Sequence, residues 1–267
     1  MNPTLAYRFL HRPVAVEPRF ASPLAEAIAR PAAALTLATD DDVSLPYQLV
    51  GEIAVVRVAG TLVHSYTRGW GETSYDTIAR GLLAAQADPK AKAIVLHVAS
   101  PGGEVDGCFE LAETIYEMRG GKPIWAICDP YAYSAAYALA SAADAIFCPL
   151  TGGCGSIGVV SMHVEFSKAL VEMGIGVTVV QFGERKTERG PFAPLSEDAQ
   201  TRIQADVDEI GELFVDMVAR NRGLSADQVR ATQAGTFLGA AAVEAKLADA
   251  VMAPQAAFTL LERSLSQ

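Results

Sequence analysis

Ser134 and Lys186 are the residues of this 267-residue chain whose types and settings point first to chemistry. Ser134 stands in Tyr133-Ser134-Ala135-Ala136-Tyr137, a run of small residues that follows a short apolar stretch and Pro130. Lys186 lies 52 residues further on, in Gly183-Glu184-Arg185-Lys186, behind the β-branched run Val177-Thr178-Val179-Val180. Upstream of both, Ser100-Pro101-Gly102-Gly103 ends another apolar stretch. A hydroxyl nucleophile, an amine able to take its proton and glycines with exposed backbone N–H groups are the parts that acyl transfer requires.

Each part has an ordinary alternative. A serine hydroxyl at the start of a helix usually caps it, whereas as a nucleophile it would gain from the helix dipole and from the N–H of Ala135. Gly102 and Gly103 could form nothing more than a strand-to-helix loop, or they could offer donors to an oxyanion. A free lysine holds its proton to a pH of about 10.4, so a catalytic one must be brought down by burial to about 7–8. Six lysines are present, and Lys186 alone follows a β-branched run in a loop with glycine. The rival base is His163, 29 residues after Ser134, in the strand-like Ser161-Met162-His163-Val164. The cluster Gly155-Ser156-Ile157-Gly158 lacks the Lys-Ser/Thr of a phosphate loop, and its backbone could pair with a peptide. Glu104 and Asp106 are the acid/base candidates if the chain acts instead on an acyl thioester. Cys108, Cys128, Cys148 and Cys154 match no metal or redox spacing and read as packing residues. No metal or cofactor is expected.

The elements that must position these residues follow from hydrophobic period. Strands are expected over 53–58, 93–98, 123–128, 145–148, 157–161 and 177–182, with helices over 75–87, 105–119, 134–142 and 166–173. Such alternation predicts an α/β fold with parallel strands. Ile203, Val207, Ile210, Phe214 and Met217 form one helical stripe, with Ser196 as N-cap and Gly223 as stop, and Ser225 and Gln228 have capping-box spacing. Residues 1–45, broken by prolines, read as an arm outside the core with one short helix over 21–34. Residues 46–252 form the main domain and 253–267 a tail.

Half of the chain is hydrophobic, so a sizeable core is affordable. The formal charge of −10 without basic clusters argues against nucleic acid and anionic membrane as partners. Neither a signal peptide nor an apolar run of about 20 residues is present, so a soluble cytoplasmic protein is expected.

The ordered set Ser100-Pro101-Gly102-Gly103, Tyr133-Ser134-Ala135, Gly155-Ser156-Ile157-Gly158 and Lys186 with Pro191 after it, together with the 235–251 segment, resembles the signal peptide peptidase A family of serine proteases over residues 50–252. The resemblance is greatest to the capsid assembly (prohead) proteases of its phage branch, which share a proline-rich N-terminal stretch. It implies a ClpP/crotonase-like fold of repeated ββα/βα units with a helical C-terminal tail. It also implies a Ser134–Lys186 dyad, an oxyanion hole from Gly102, Gly103 and Ala135, and substrate contacts at Ser156, Ile157 and Gly158. In the cellular relatives, rings of subunits build each site from neighbouring copies, so a homo-oligomer with sites near its interfaces is implied. Implied substrates are scaffold and capsid-associated proteins, cut in the host cytoplasm or inside the prohead, and the arm at 1–45. The other readings are a bacterial cytoplasmic signal-peptide-peptidase-like enzyme, a crotonase-type acyl-CoA enzyme and an inactive head-assembly scaffold or adaptor. The loop around Lys186 is more charged than a desolvated lysine would favour.

Overall fold

The computed structural model describes residues 13–16, 46–65 and 71–266. The helix expected over 21–34 lies outside them. Among the described residues, eleven strands form one sheet. Its centre is parallel: β3 (Ile53–Val63), β5 (Ala93–Glu104), β6 (Ile124–Tyr133) and β7 (Ala145–Cys148) lie side by side in that order. Each parallel step needs a crossover. Helix α1 (Tyr75–Ala87) connects β3 to β5, α2 (Cys108–Glu117) connects β5 to β6, and α3 (Ala135–Ser141) connects β6 to β7.

Side chains alternate across β5 as an extended backbone requires. Ile94, Leu96 and Val98 enter a large core with α1, α2 and α3, while Ala93 and Val95 join a smaller cluster on the opposite face. That second face is covered by a helix expected only as a tail: Pro254–Leu265, here the last helix of the chain, buries Ala257 and Leu261 against Ile53, Ile127 and Phe147. A proline opens it, a position where the missing N–H costs nothing.

The outer strands serve the site. β6 forks: Trp125–Ile127 pairs with β7, whereas Tyr131–Tyr133 leaves to pair with β8 (Gly153–Gly155), itself paired with β10 (Thr236–Leu238). β5 runs beyond the expected 93–98, so Gly102 and Gly103 belong to the strand rather than to a loop. Its end pairs antiparallel with β1 (Pro13–Val16), which pairs in turn with β9 (Val160–Ser161). Of the expected arm at residues 1–45 only 13–16 are described, and these four lie in the sheet rather than outside the core: Val14 is 2% and Ala15 0% exposed.

Two other expectations change. The strand over 157–161 shrinks to β9. The run 177–182 forms no strand, and residues 171–187 are exposed throughout. β-branched residues favour extended backbone, but a strand needs a ladder partner, and no described strand pairs with this run. The long helix Glu197–Arg222 (α5 in chain order, after the short α4, Ser167–Glu172) has Ser196 as N-cap and Gly223 in the left-handed conformation at its end, and Ser225 and Gln228 form the capping box of α6 (Ala226–Arg230). Its predicted stripe packs unevenly: Phe214 is buried, while Ile203, Val207 and Ile210 remain half-buried. No helix among the described residues is long and apolar enough to cross a membrane.

Candidate active site

Ser134 joins β6 to α3 with φ 54° and ψ −122°, a conformation that L-residues rarely adopt. Neighbouring bonds hold it there. Its N–H donates to Gly155 O at 2.8 Å, and its carbonyl accepts from Ala138 N at 3.0 Å to begin the helix. Ser134 occupies the N-cap position, yet its hydroxyl makes no capping bond. Instead Oγ reaches toward Gly158 O at 3.4 Å. The simple alternative, a serine present to cap α3, therefore does not account for this residue. A strained strand–serine–helix turn is a known way of presenting a nucleophilic hydroxyl beside the following backbone N–H.

The glycine segment of β5 lies directly against this turn. A Cβ on Gly102, whose φ is +103°, would stand 3.0 Å from both Ala135 N and Ser134 Cβ. A Cβ on Gly103 would stand 1.9 Å from Leu62 O on β3. Only glycine lets β5 pass between β3 and the serine turn. Ser100 fastens the segment: its Oγ donates to Gly60 O at 2.6 Å and accepts from Gly102 N at 3.1 Å. The Gly102 N–H thus has an internal partner, where the sequence suggested a free donor. Ser156 is buried at φ +56°, with its N–H on Gly235 O at 2.8 Å. Ile157 is 5% exposed and packs in the main core, while Gly158 offers its carbonyl to Ser134. Ser134, Ala135, Gly102, Gly103 and Gly158 are thus brought together.

The short helix behind Ser134 is anchored at its far end by a residue that sequence reasoning missed. Arg119 donates from Nε to Ala142 O at 2.8 Å and from Nη2 to Ser141 O at 3.0 Å and Ala143 O at 2.6 Å. These carbonyls at the end of α3 have no helical partner of their own. Asn221 of α5 adds a bond from Nδ2 to Ser141 Oγ at 3.0 Å, and the fully buried Tyr137 donates to Leu247 O at 2.9 Å. The available sequence signal was weak: an arginine at a helix end, before Gly120-Gly121.

Lys186 is not brought to this cluster. It sits in an exposed turn on the excursion that leaves and returns where Phe166 N donates to Pro191 O at 2.8 Å. Val180 is 94% and Phe182 100% exposed there, and Lys186 lines an open pocket of about 530 Å³ with Val179, Pro191 and Phe192. The charges flanking it turn toward α5: Glu188 pairs with Arg202 at 2.6 Å, and Arg189 pairs with Asp206. His163 lies two residues past β9 and beside Glu165, whose carboxyl is held below its usual range mainly by the Ser167 side chain, with His163 the smallest contributor. Glu104 serves as a brace: its Oε2 accepts from His64 N at 2.6 Å and its carbonyl from Tyr75 Oη at 2.5 Å. The Asp106 carbonyl meets His64 Nδ1 at 3.1 Å. All four cysteines are buried free thiols, and burial pushes Cys108 up to about 12. They are packing residues, as their spacing suggested.

Comparison with known proteins gives the family. The profile of peptidase family S49 matches residues 117–267, and that of Clp protease matches residues 63–147. The chain is 36% identical to head-tail preconnector protein GP5 of Enterobacteria phage P21 over 223 residues, 82% of this chain and 44% of that protein. It is 35% identical to capsid assembly protease C of Escherichia phage lambda over 240 residues, 87% of this chain and 54% of that protein. Protease 4 of Haemophilus influenzae is 29% identical over 226 residues, 83% of this chain and 36% of that protein. The chain thus spans about half the length of the phage relatives. The α/β sheet is of the ClpP-like type, and the chain belongs to peptidase family S49.

Proposed function

We propose that the protein is a serine endopeptidase in which Ser134 attacks a peptide carbonyl and Lys186 of a neighbouring copy takes its proton. The observation that carries the proposal is the Ser134 turn: a hydroxyl released from capping, at positive φ, beside the Ala135 N–H. Attack would place the oxyanion near the Ala135 N–H, with the Gly102–Gly103 backbone alongside; the Gly102 N–H would have to leave Ser100 Oγ to donate to it. The departing amine takes the proton from Lys186, and water activated by the same lysine then cleaves the acyl-enzyme.

Where the two residues lie supports pairing between copies. Ser134 is 1% exposed within the fold, whereas Lys186 projects on an excursion whose Val180 and Phe182 are not covered by any of the described residues. Apolar side chains so exposed favour a protein partner, and desolvation against that partner is what allows a lysine to shed its proton near neutrality. Two relatives named for phage capsid assembly and head–tail connection support scaffold and capsid-associated proteins as substrates, cut during head maturation in the host cytoplasm.

The test is a mixing experiment. Ser134→Ala and Lys186→Ala are each inactive on an unfolded protein substrate. After co-refolding in equal amounts, about one quarter of head-to-tail interfaces pair an intact serine with an intact lysine, and about a quarter of wild-type activity returns. Wild-type cleavage rises from pH 6 to 9. Activity that never returns on mixing would refute pairing between copies. Wild-type cleavage that survives Ser134→Ala would refute the nucleophile.

A further inference from the structure

β1 is an outlier in this fold. It supplies four residues, and the rest of the described chain resumes only at residue 46. Even so it lies at the most sensitive place in the molecule. Val14 pairs with Glu104, Ala15 with Gly103 and Val16 with Gly102 on one side. Pro13 pairs with Ser161 and Val14 with Val160 on the other. β1 is therefore the strand between β5 and β9, antiparallel to both, and it fills a slot one strand wide.

That slot opens onto Ser134. The point where a Cβ on Gly102 would stand is 2.1 Å from the Ala15 carbonyl oxygen, and the same point is 3.0 Å from Ser134 Cβ and 3.0 Å from Ala135 N. A backbone carbonyl of β1 thus lies beside the serine and beside the N–H that follows it. The side chains are enclosed as well, Val14 at 2% and Ala15 at 0% exposure. An extended segment paired by backbone on both edges, with alternate side chains in fitted recesses, is the way a groove takes a peptide by strand addition.

We propose that Pro13–Val16 is a built-in occupant of the substrate groove, laid where a substrate strand would lie, and that it holds the site closed until it is displaced. This rests on the reading of Ser134 as nucleophile. It also names the substrate class: extended segments that place a small side chain where Ala15 lies and a β-branched one where Val14 lies. Because the strand is tethered, it competes at an effective concentration far above that of a dilute substrate. The apparent affinity for a substrate is reduced in proportion to the fraction of molecules whose groove is empty.

The test separates binding from cleavage. In a Ser134→Ala background, a labelled peptide of sequence RPVAVE, matching residues 12–17, is titrated against the chain with its native strand and against the same chain carrying Ala15→Arg. The arginine cannot enter a fully enclosed alanine site and expels the strand. Peptide binding is expected to tighten about tenfold or more, as it would if the strand fills the groove nine-tenths of the time. With Ser134 intact, Ala15→Arg raises kcat/KM on an unfolded protein by a similar factor, and the RPVAVE peptide reverses the gain. Equal binding with and without Ala15→Arg, in folded protein, overturns the proposal. Should Ala15→Arg fail to fold, hydrogen exchange on the Ser134→Ala chain decides the matter. Saturating peptide must strip protection from the amides of Val14, Ala15 and Val16, and protection that persists with peptide bound overturns the proposal. Tightened binding without any Ser134-dependent cleavage would sink the protease reading and leave the groove assignment standing. Ser134-dependent cleavage with unchanged binding would do the reverse.

Discussion

Arg119 offers the sharpest check on how the site is held. Its side chain joins the end of α2 to the far end of the helix that begins at Ser134. Three of its bonds are short, to Ala142 O at 2.8 Å, Ser141 O at 3.0 Å and Ala143 O at 2.6 Å, and two more reach Asn221 O at 3.4 and 3.3 Å. Its guanidinium also lies 4.6 Å from the centre of the Tyr116 ring. Arg119→Ala leaves three carbonyls at a helix end without their donor. A buried unpaired carbonyl costs about 1–3 kcal/mol. Arg119 is only half-buried, so water can reach these groups and the low end applies, about 3 kcal/mol in all. For a chain of this size that is a fall in Tm of about 6–12 °C. Arg119→Lys keeps the charge near the helix end but has one ammonium for three diverging acceptors, so it recovers only part of the loss. The assay is thermal unfolding by circular dichroism at fixed protein concentration, because the proposed association of copies would make Tm concentration-dependent. Activity falls alongside stability, since a loosened α3 no longer fixes Ser134. A Tm within about 2 °C of wild type for Arg119→Ala, or full recovery by lysine, would refute the account of three unsatisfied carbonyls.

Two further outcomes test the surroundings. Gly103→Ala drives a methyl group to 1.9 Å from Leu62 O and 2.6 Å from Leu62 C and N, all backbone of β3 that cannot swing aside. It should cost about 2 kcal/mol or more, while Gly211→Ala, inside α5 with nothing within 4 Å, should gain about 0.5–1 kcal/mol; similar Tm values for the two variants would contradict the close approach of β3 and β5. Alkaline stability should fall above pH 9. The Cys108 thiol is raised from 9.0 to about 12 by burial, and burial likewise raises Tyr75 and Tyr137. A folded pKa above the unfolded one gives stability that is complete below the unfolded value and is lost as pH rises through the folded one. Tm should therefore decline between pH 9 and 12, less steeply in Cys108→Ala, and a flat profile would disprove it.

The order of elements from 53 to 148 was legible in the sequence because apolar period and glycine punctuation are local properties. The α5 cap at Ser196, the stop at Gly223 and the Ser225–Gln228 capping box were legible for the same reason. The set Ser134, Ala135, Gly102, Gly103 and Gly158 could be named from the order of the motifs and the family resemblance it carries, since each member alone has an ordinary structural alternative. What sequence could not supply was pairing between distant segments. Nothing local in Pro13-Val14-Ala15-Val16 says that it inserts between β5 and β9. The run Val177-Thr178-Val179-Val180 has strand propensity but finds no ladder partner among the described residues and stays exposed. Arg119 becomes important only because the fold brings the end of α3 against it. The release of the Ser134 hydroxyl from capping depends on a backbone conformation held by the tertiary hydrogen bond from its N–H to Gly155 O, where the helix begins with the bond from Ala138 N. Residue type and spacing decided which groups could do chemistry. The tertiary structure decided which of them meet, because hydrogen-bond partners and close approach are set by segments far apart in the chain.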